Sequence, residues 1–527
     1  MKSQISNPKS QTSTKYQRHN FTKKRLLTPF FIFCIVCGGK GVSAKAGEEQ
    51  TRKAMKESLV YLEVSSYGYD QFRPWRNTEV AEKGGVGCAV GANLVITPAW
   101  TLTDARLIQA RIYGQNEYVP GKIRAIDYEI DLALVELEPN ALKKALRPLK
   151  FASKFKRGTK LNYYWLDSSG ELTTGQGYLD RAEVHQSTTS HTAFLNYIVT
   201  NTSQETAIGQ LYCDGTTAVG IACWAVETKE AGLIPAEIIN EFLSNANVPT
   251  KWKEKAKDTN YPGIPVVGFS TQELTDPATR AYLKMPATMQ NGIWVTNVYA
   301  LGTGNDLLKT GDVILAIDGK DIDAFGKFQH PVYDRVLFHH LITTHRIGDE
   351  IGFEIWRDGG RQQIKVVAKN FDVSRMLIPS YEYGQQPEYI VTGGFVFQKL
   401  TRPYLMNFGK DWTGKASPHL FHYYRDLSFK PSIQRKEIVV LSYVLPSQIS
   451  IGYLDLGQLV VSKFNDMPIS CLADIIKAQS QKPDSNFDVV EFELDNPTVV
   501  IPRRQLPQAD ALIGTNYGIR KLTNVRE

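Results

Sequence analysis

The feature that most constrains this chain is the length of its apolar runs between residues 58 and 225. Val86–Val90, Leu94–Thr97, Leu107–Ile112, Gly121–Ile126 and Leu132–Leu137 are apolar or alternating runs of strand length. Gly91-Ala92-Asn93 and Gly114-Gln115-Asn116 mark turns among them. Many short strands at this spacing predict a barrel or a sandwich, so the chain is read as mainly β. Ile234 to Asn245 carries apolar residues at helical spacing and closes the region as one helix.

A polar, charged stretch with a proline near each end (NVPTKWKEKAKDTNYP, 247–262) follows. After it comes a strand-rich unit with one helix, and after a second boundary a unit that repeats its features. Gly268-Phe269 matches Gly394-Phe395, and the run Asp312 to Gly319 matches Gly457 to Asp466. An internal duplication with another domain in front is the reading. The expected boundaries are 47–248, a linker at 249–262, 263–370, a linker at 371–390, and 391–527. A length of 527 residues accommodates such a series of domains.

The net charge of +7 is misleading, because residues 1–46 hold nine Lys/Arg and no Asp/Glu, leaving 52 basic against 54 acidic residues in the rest. The basicity is therefore no nucleic-acid footprint. Lys23, Lys24 and Arg25 precede an apolar stretch from Leu26 to Gly39, and Val42-Ser43-Ala44 and Ala44-Lys45-Ala46 are cleavage candidates. This pattern predicts a signal peptide over 1–46 and an exported protein, periplasmic or secreted. The alternative is an uncleaved membrane anchor. Cys88, Cys213, Cys223 and Cys471 would remain, with Cys213 and Cys223 either paired across a hairpin turn or left as buried thiols.

Two stretches resemble the HtrA/Deg family of trypsin-like serine proteases. Gly85 to Gly91 with Leu94 to Leu102 resembles the pattern G-S-G-F-x-I-x…V-L-T-N-A-H-x-V, and Asp127 to Val135 resembles D-x-x-x-D-L-A-L-L. Lys150–Lys160, Thr173–Val184 and Val219-Gly220-Ile221-Ala222 resemble later segments of the same domain. Leu308 to Gly319 is similar to the family's first PDZ domain. Tyr389-Ile390-Val391 and Gly394-Phe395-Val396-Phe397 are similar to the second PDZ domain of plant-type Deg proteins. The resemblance implies a trypsin-like double β-barrel followed by two PDZ-type α+β domains.

It also implies a catalytic triad, whose positions are altered. The histidine position falls on Trp100, the aspartate on Asp131, and the serine on Ala207. An indole cannot accept a proton near neutral pH, and alanine carries no nucleophile. Residues 50–184 contain no histidine in any alignment, and His185 and His191 come after Asp131. Losing serine or histidine alone costs such an enzyme roughly a millionfold in kcat, about 8 kcal/mol. A pseudoprotease is the expectation, with Asp131 as a turn-capping residue and Trp100 either filling the lost site or lining a groove.

Function then moves to peptide binding. PDZ domains add a C-terminal peptide to a sheet edge and hold its carboxylate on loop N–H groups. The expected loops are Val267-Gly268-Phe269 and Gly394-Phe395-Val396. Leu337 and Leu341, on a helix around Tyr333–Thr344, would form the first groove's opposite wall. Peptides or unfolded-protein C-termini are the expected ligands, and an active Deg protease a possible partner. Tyr67, Tyr69, Phe72 and Trp75 either help build a homo- or hetero-trimer, as the resemblance implies, or cover the barrel edge. His339, His340 and His345 lack zinc-protease spacing and are read as packed or solvated. No cofactor, metal or nucleic acid is expected. The competing readings are an active serine endopeptidase and a structural envelope protein.

Overall fold

The computed structural model describes residues 40–152, 155–190, 192–202, 208–226, 229–246, 261–481, 485–494 and 496–526, with side chains from residue 48 onward. The apolar run at 26–39 and most of the linker at 247–262 lie outside the described residues. Helix α1 (Lys40–Ser58) runs through both cleavage candidates. No described helix is long and apolar enough to cross a membrane.

Twelve strands then form two closed barrels. The first contains β1 (Leu59–Ser66), β2 (Ala81–Ala89), β3 (Leu94–Thr97), β4 (Ala105–Ile112), β5 (Val119–Asp127) and β6 (Leu132–Leu137), in the order β1-β2-β3-β6-β5-β4. The second contains β7 (Lys160–Leu166), β8 (Leu172–Gln186), β9 (Ala193–Asn201), β10 (Leu211–Asp214), β11 (Thr217–Ala225) and β12 (Glu230–Pro235), in the order β10-β11-β12-β9-β8-β7. Strand alternation sorts the side chains. Val95, Val60 and Val135 fill the first barrel, whereas Ile96, Leu94 and Leu134 point outward into the layer between the barrels. That is why β3 is apolar at nearly every position: both of its faces are buried. Helix α2 (Ala236–Asn245) starts after Pro235 and lays Ile239 and Phe242 on the same inter-barrel layer.

The third unit contains β13 (Phe269–Gln272), α3 (Pro277–Tyr282), β14 (Ile293–Val298), β15 (Val313–Ile317), β16 (Lys320–Asp321), β17 (Lys327–His330), β18 (Asp334–Leu337), α4 (His339–Thr343), β19 (Glu350–Arg357) and β20 (Gly360–Val367). Its main sheet runs β13-β14-β15-β19-β20. The sequence reading of a helix over Tyr333–Thr344 is corrected here. Val336 packs inward from a hairpin with β17, and only five residues from His339 are helical. Asp318-Gly319 and Asp358-Gly359 hold positive φ at both central positions, the two-residue hairpin geometry that Asp-Gly favours. Asp312 of the motif is structural: buried, it receives two 2.7 Å hydrogen bonds from Arg357.

The last unit contains β21 (Tyr389–Thr392), β22 (Phe395–Lys399), α5 (Arg402–Met406), α6 (Trp412–Lys415), α7 (Pro418–Leu427), β23 (Val439–Val444), β24 (Leu459–Phe464), β25 (Met467–Pro468), α8 (Ala473–Gln481), β26 (Phe487–Phe492), β27 (Val499–Pro502), α9 (Leu506–Tyr517) and β28 (Thr523–Asn524). Its sheet order is β27-β26-β24-β23-β22-β21-β28. The duplication seen in the sequence appears in the turns: Asn465-Asp466 takes the positive-φ place of Asp318-Gly319.

The units share buried surface. The second barrel's core runs without a break into that of the third unit. Phe72 packs on Tyr404 and Phe408 at 5.2 and 4.9 Å, and Trp75 on Tyr389 at 5.8 Å, so these two aromatics serve the C-terminal unit of their own chain.

Candidate functional site

The first cluster sits where two loops of the first barrel meet. The 3-10 turn Ala99–Leu102 carries Trp100, and the β5–β6 loop carries Asp131 in the left-handed region at φ 54°. The backbone N–H of Trp100 donates to Asp131 Oδ1 at 2.7 Å, and that of Ala99 to the Asp131 carbonyl at 3.1 Å. Asp131 is 1% exposed, and its Oδ2 has no hydrogen-bond partner among the described residues. Burial pushes its carboxyl up to about 7 against the weaker pull of the two N–H groups. The indole of Trp100 stays 42% exposed, with the Lys83 ammonium 5.7 Å from its ring. Lys83 also donates to the Thr103 carbonyl at 2.8 Å, and burial lowers its pKa. Sequence reasoning missed Lys83, since nothing marks a lone lysine on an edge of β2 as facing this turn.

The structure thus brings Trp100 and Asp131 together. Ala207, with Ser203, Glu205 and Thr206, lies outside the described residues, as does His191. His185 is engaged elsewhere, paired with Glu183 and 5.0 Å from the Trp224 ring. Cys223 is a buried thiol raised well above its ordinary pKa by burial, which makes it a poor nucleophile. Cys213 pairs in register with Ala218 rather than with Cys223, and all four described thiols are free.

A connector passes beside this cluster. Tyr381 and Tyr383 pack on Tyr128 with ring centres 4.9 and 4.7 Å apart, Tyr381 Oη donates to Glu129 at 3.1 Å, and the Gly384 N–H donates to Asp104 at 2.6 Å. These residues were read as a plain linker, because neither periodicity nor a motif marks a docking segment.

The second candidate is the edge strand β13. It pairs with β14 on one side, and its other edge has no strand among the described residues. Gly268 passes so close to the Leu301 and Thr303 carbonyls that a Cβ would lie 2.6 Å from each, and its N–H is already donated to Thr303 at 2.9 Å. Leu337 and Leu341 are half-buried. The ring stacked on Phe269, at 5.7 Å, is that of Phe338.

The third candidate differs from expectation. Gly394 closes the turn before β22, which Phe395 and Val396 begin; that strand is hydrogen-bonded to β21 on one side and β23 on the other, so it has no edge to offer a peptide. The Gly393-Gly394 turn, with φ 60° and 99°, folds β21 back onto β22, and the Gly393 N–H donates to Asp510 of α9 at 2.6 Å. His339 and His340 are held neutral, pushed down to about 4 by burial, and His345 bonds Asp318 at 2.7 Å.

Comparison with known proteins agrees with this architecture. Residues 378–523 match the family model described as a PDZ domain. Protease Do-like 2, chloroplastic, of Arabidopsis thaliana is 26% identical over 460 residues, covering 85% of this chain and 72% of that one. Protease Do-like 4, mitochondrial, from the same plant is 24% identical over 336 residues, covering 63% and 62%. The solved HtrA-type protease AlgW with decapeptide is 15% identical with a TM-score of 0.44, covering 60% of this chain and 97% of that chain. The chain is a homologue of the HtrA/Deg family of Do-like serine proteases, and it carries a PDZ domain in its C-terminal part.

Proposed function

We propose that this protein is an exported, catalytically inactive member of its family that works by binding peptides. It would serve as a scaffold, a chaperone-like factor or a regulatory partner of an active Do-like protease. The observation that carries the first half is Trp100 on Asp131: an indole stands where a proton acceptor is required, and the carboxyl beside it has no imidazole partner among the described residues. With alanine at 207, both the base and the nucleophile are missing. Incubation of contaminant-free protein with casein is expected to give no cleavage; turnover that co-purifies with the chain through successive columns would refute inactivity.

Binding is assigned to β13, whose free edge and apolar flank fit strand addition. Because Gly268 has already given its N–H to Thr303, recognition there would rest on the strand edge more than on carboxylate capture. Fluorescent C-terminal peptides titrated against the full chain are expected to saturate, and peptides amidated at the C-terminus to lose little affinity. Absence of saturable binding across a diverse library would remove the reading. Residues 1–46 are assigned to targeting, and sequencing the N-terminus of mature protein tests it: a start at residue 45 or 47 is expected.

A further inference from the structure

Between the second barrel and the third unit lies a cavity of about 740 Å³, within the range of small-molecule sites. Its apolar walls are Ile130, Phe194, Ile238, Ile264 and Val332. One side is aromatic: Phe155 meets Tyr333 edge-on at 5.2 Å, and His330 stacks on Tyr333 at 4.3 Å. Two carboxylates of α2, Glu237 and Glu241, also line it.

The polar atoms are satisfied on one flank only. Tyr333 Oη donates to Glu237 Oε2 at 2.5 Å and lies 2.9 Å from Tyr197 Oη. Glu237 Oε1 and His340 Nδ1 are buried without a hydrogen-bond partner among the described residues. Glu241 Oε1 has the Arg346 guanidinium at 3.3 Å, and that arginine's side chain is 66% exposed at the rim. His330 and His340 are both pushed down by burial, so neither supplies a positive charge near neutral pH. The cavity therefore combines unsatisfied acceptors, two carboxyls and aromatic faces, a set complementary to a cation with an apolar body.

We propose that this cavity binds a small organic ammonium. The amine would sit on Glu237 and Glu241 against the ring of Tyr333, and its aliphatic or aromatic body on Ile238, Phe194 and Val332. Burial holds the Glu237 carboxyl above its ordinary range, and a cation seated against it would offset that desolvation. The proposal does not rest on peptide binding at β13.

The test uses the full chain, calorimetry near neutral pH, and 4-phenylbutylamine against its neutral analogue 4-phenylbutanol. Expected are saturable binding of the amine, weaker binding of the alcohol, and an affinity loss of about tenfold or more in Glu237→Gln. Val332→Trp alters a half-exposed hairpin residue, so the fold is expected to survive while the cavity mouth is filled and binding is lost. An amine that does not saturate, an alcohol that binds as tightly, or folded Glu237→Gln with unchanged affinity would overturn the proposal.

Discussion

At Asp131 burial sets the behaviour of a carboxylate whose Oδ2 has no hydrogen-bond partner among the described residues. Its carboxyl stands at about 7 in the fold against an ordinary 3.8. Between these values the folded protein keeps a proton that the unfolded chain has released, so stability falls as pH rises from about 4 to 7 and then levels off. Asp131→Asn removes this slope while keeping an acceptor for the Trp100 N–H. Thermal melts are expected to show the variant more stable than the parent at pH 8, by about 4 kcal/mol, with the gain vanishing near pH 4. An active enzyme would be crippled by the same change. Trp100 and Asp131, which the fold brings together, could be singled out from the sequence because fixed motifs surround them, while Ala207 lies outside the described residues. Lys83 could not, since closure of the barrel rather than any local pattern brings its ammonium to Trp100.

At the scale of elements, the third and last units, which share short sequence patterns, differ in the strand that matters. β13 is an edge; its counterpart β22 is interior because two extra strands, β21 and β28, lie outside it. The sequence concealed this, since Tyr389-Ile390-Val391 reads equally well as the end of a connector. By contrast, β3 and β6 were read with their observed ends, because runs buried on both faces stop sharply at polar turns. The helix expected over Tyr333–Thr344 failed for the opposite reason: a short strand and a short helix in tandem mimic one longer helical repeat. The third unit depends on its buried ion pair. Asp312→Asn leaves Arg357 without its charge partner, and urea unfolding is expected to show a loss of about 3 kcal/mol. Removing both partners with a well-packed apolar pair should cost less.

For the whole molecule, the loop at 67–80 ties the first barrel to the last unit. Phe72 and Trp75 supply the aromatic contacts, and the Gln398 amide donates to the Gln71 carbonyl across 327 residues of chain. The double variant Phe72→Ala, Trp75→Ala is expected to speed proteolysis within 371–388 and hydrogen exchange in β21 severalfold, with the melting of the barrels unchanged. No local signal could have foretold this contact, because partners so far apart meet only once every intervening domain has folded. The separation also carries a cost in time. At about 5–20 residues per second of synthesis, the loop waits roughly 15–65 s for its partner to emerge. Throughout that interval the finished first barrel displays two unpaired aromatic rings, so a chain stopped before residue 389 would keep them on display permanently and is expected to need a chaperone to stay dispersed.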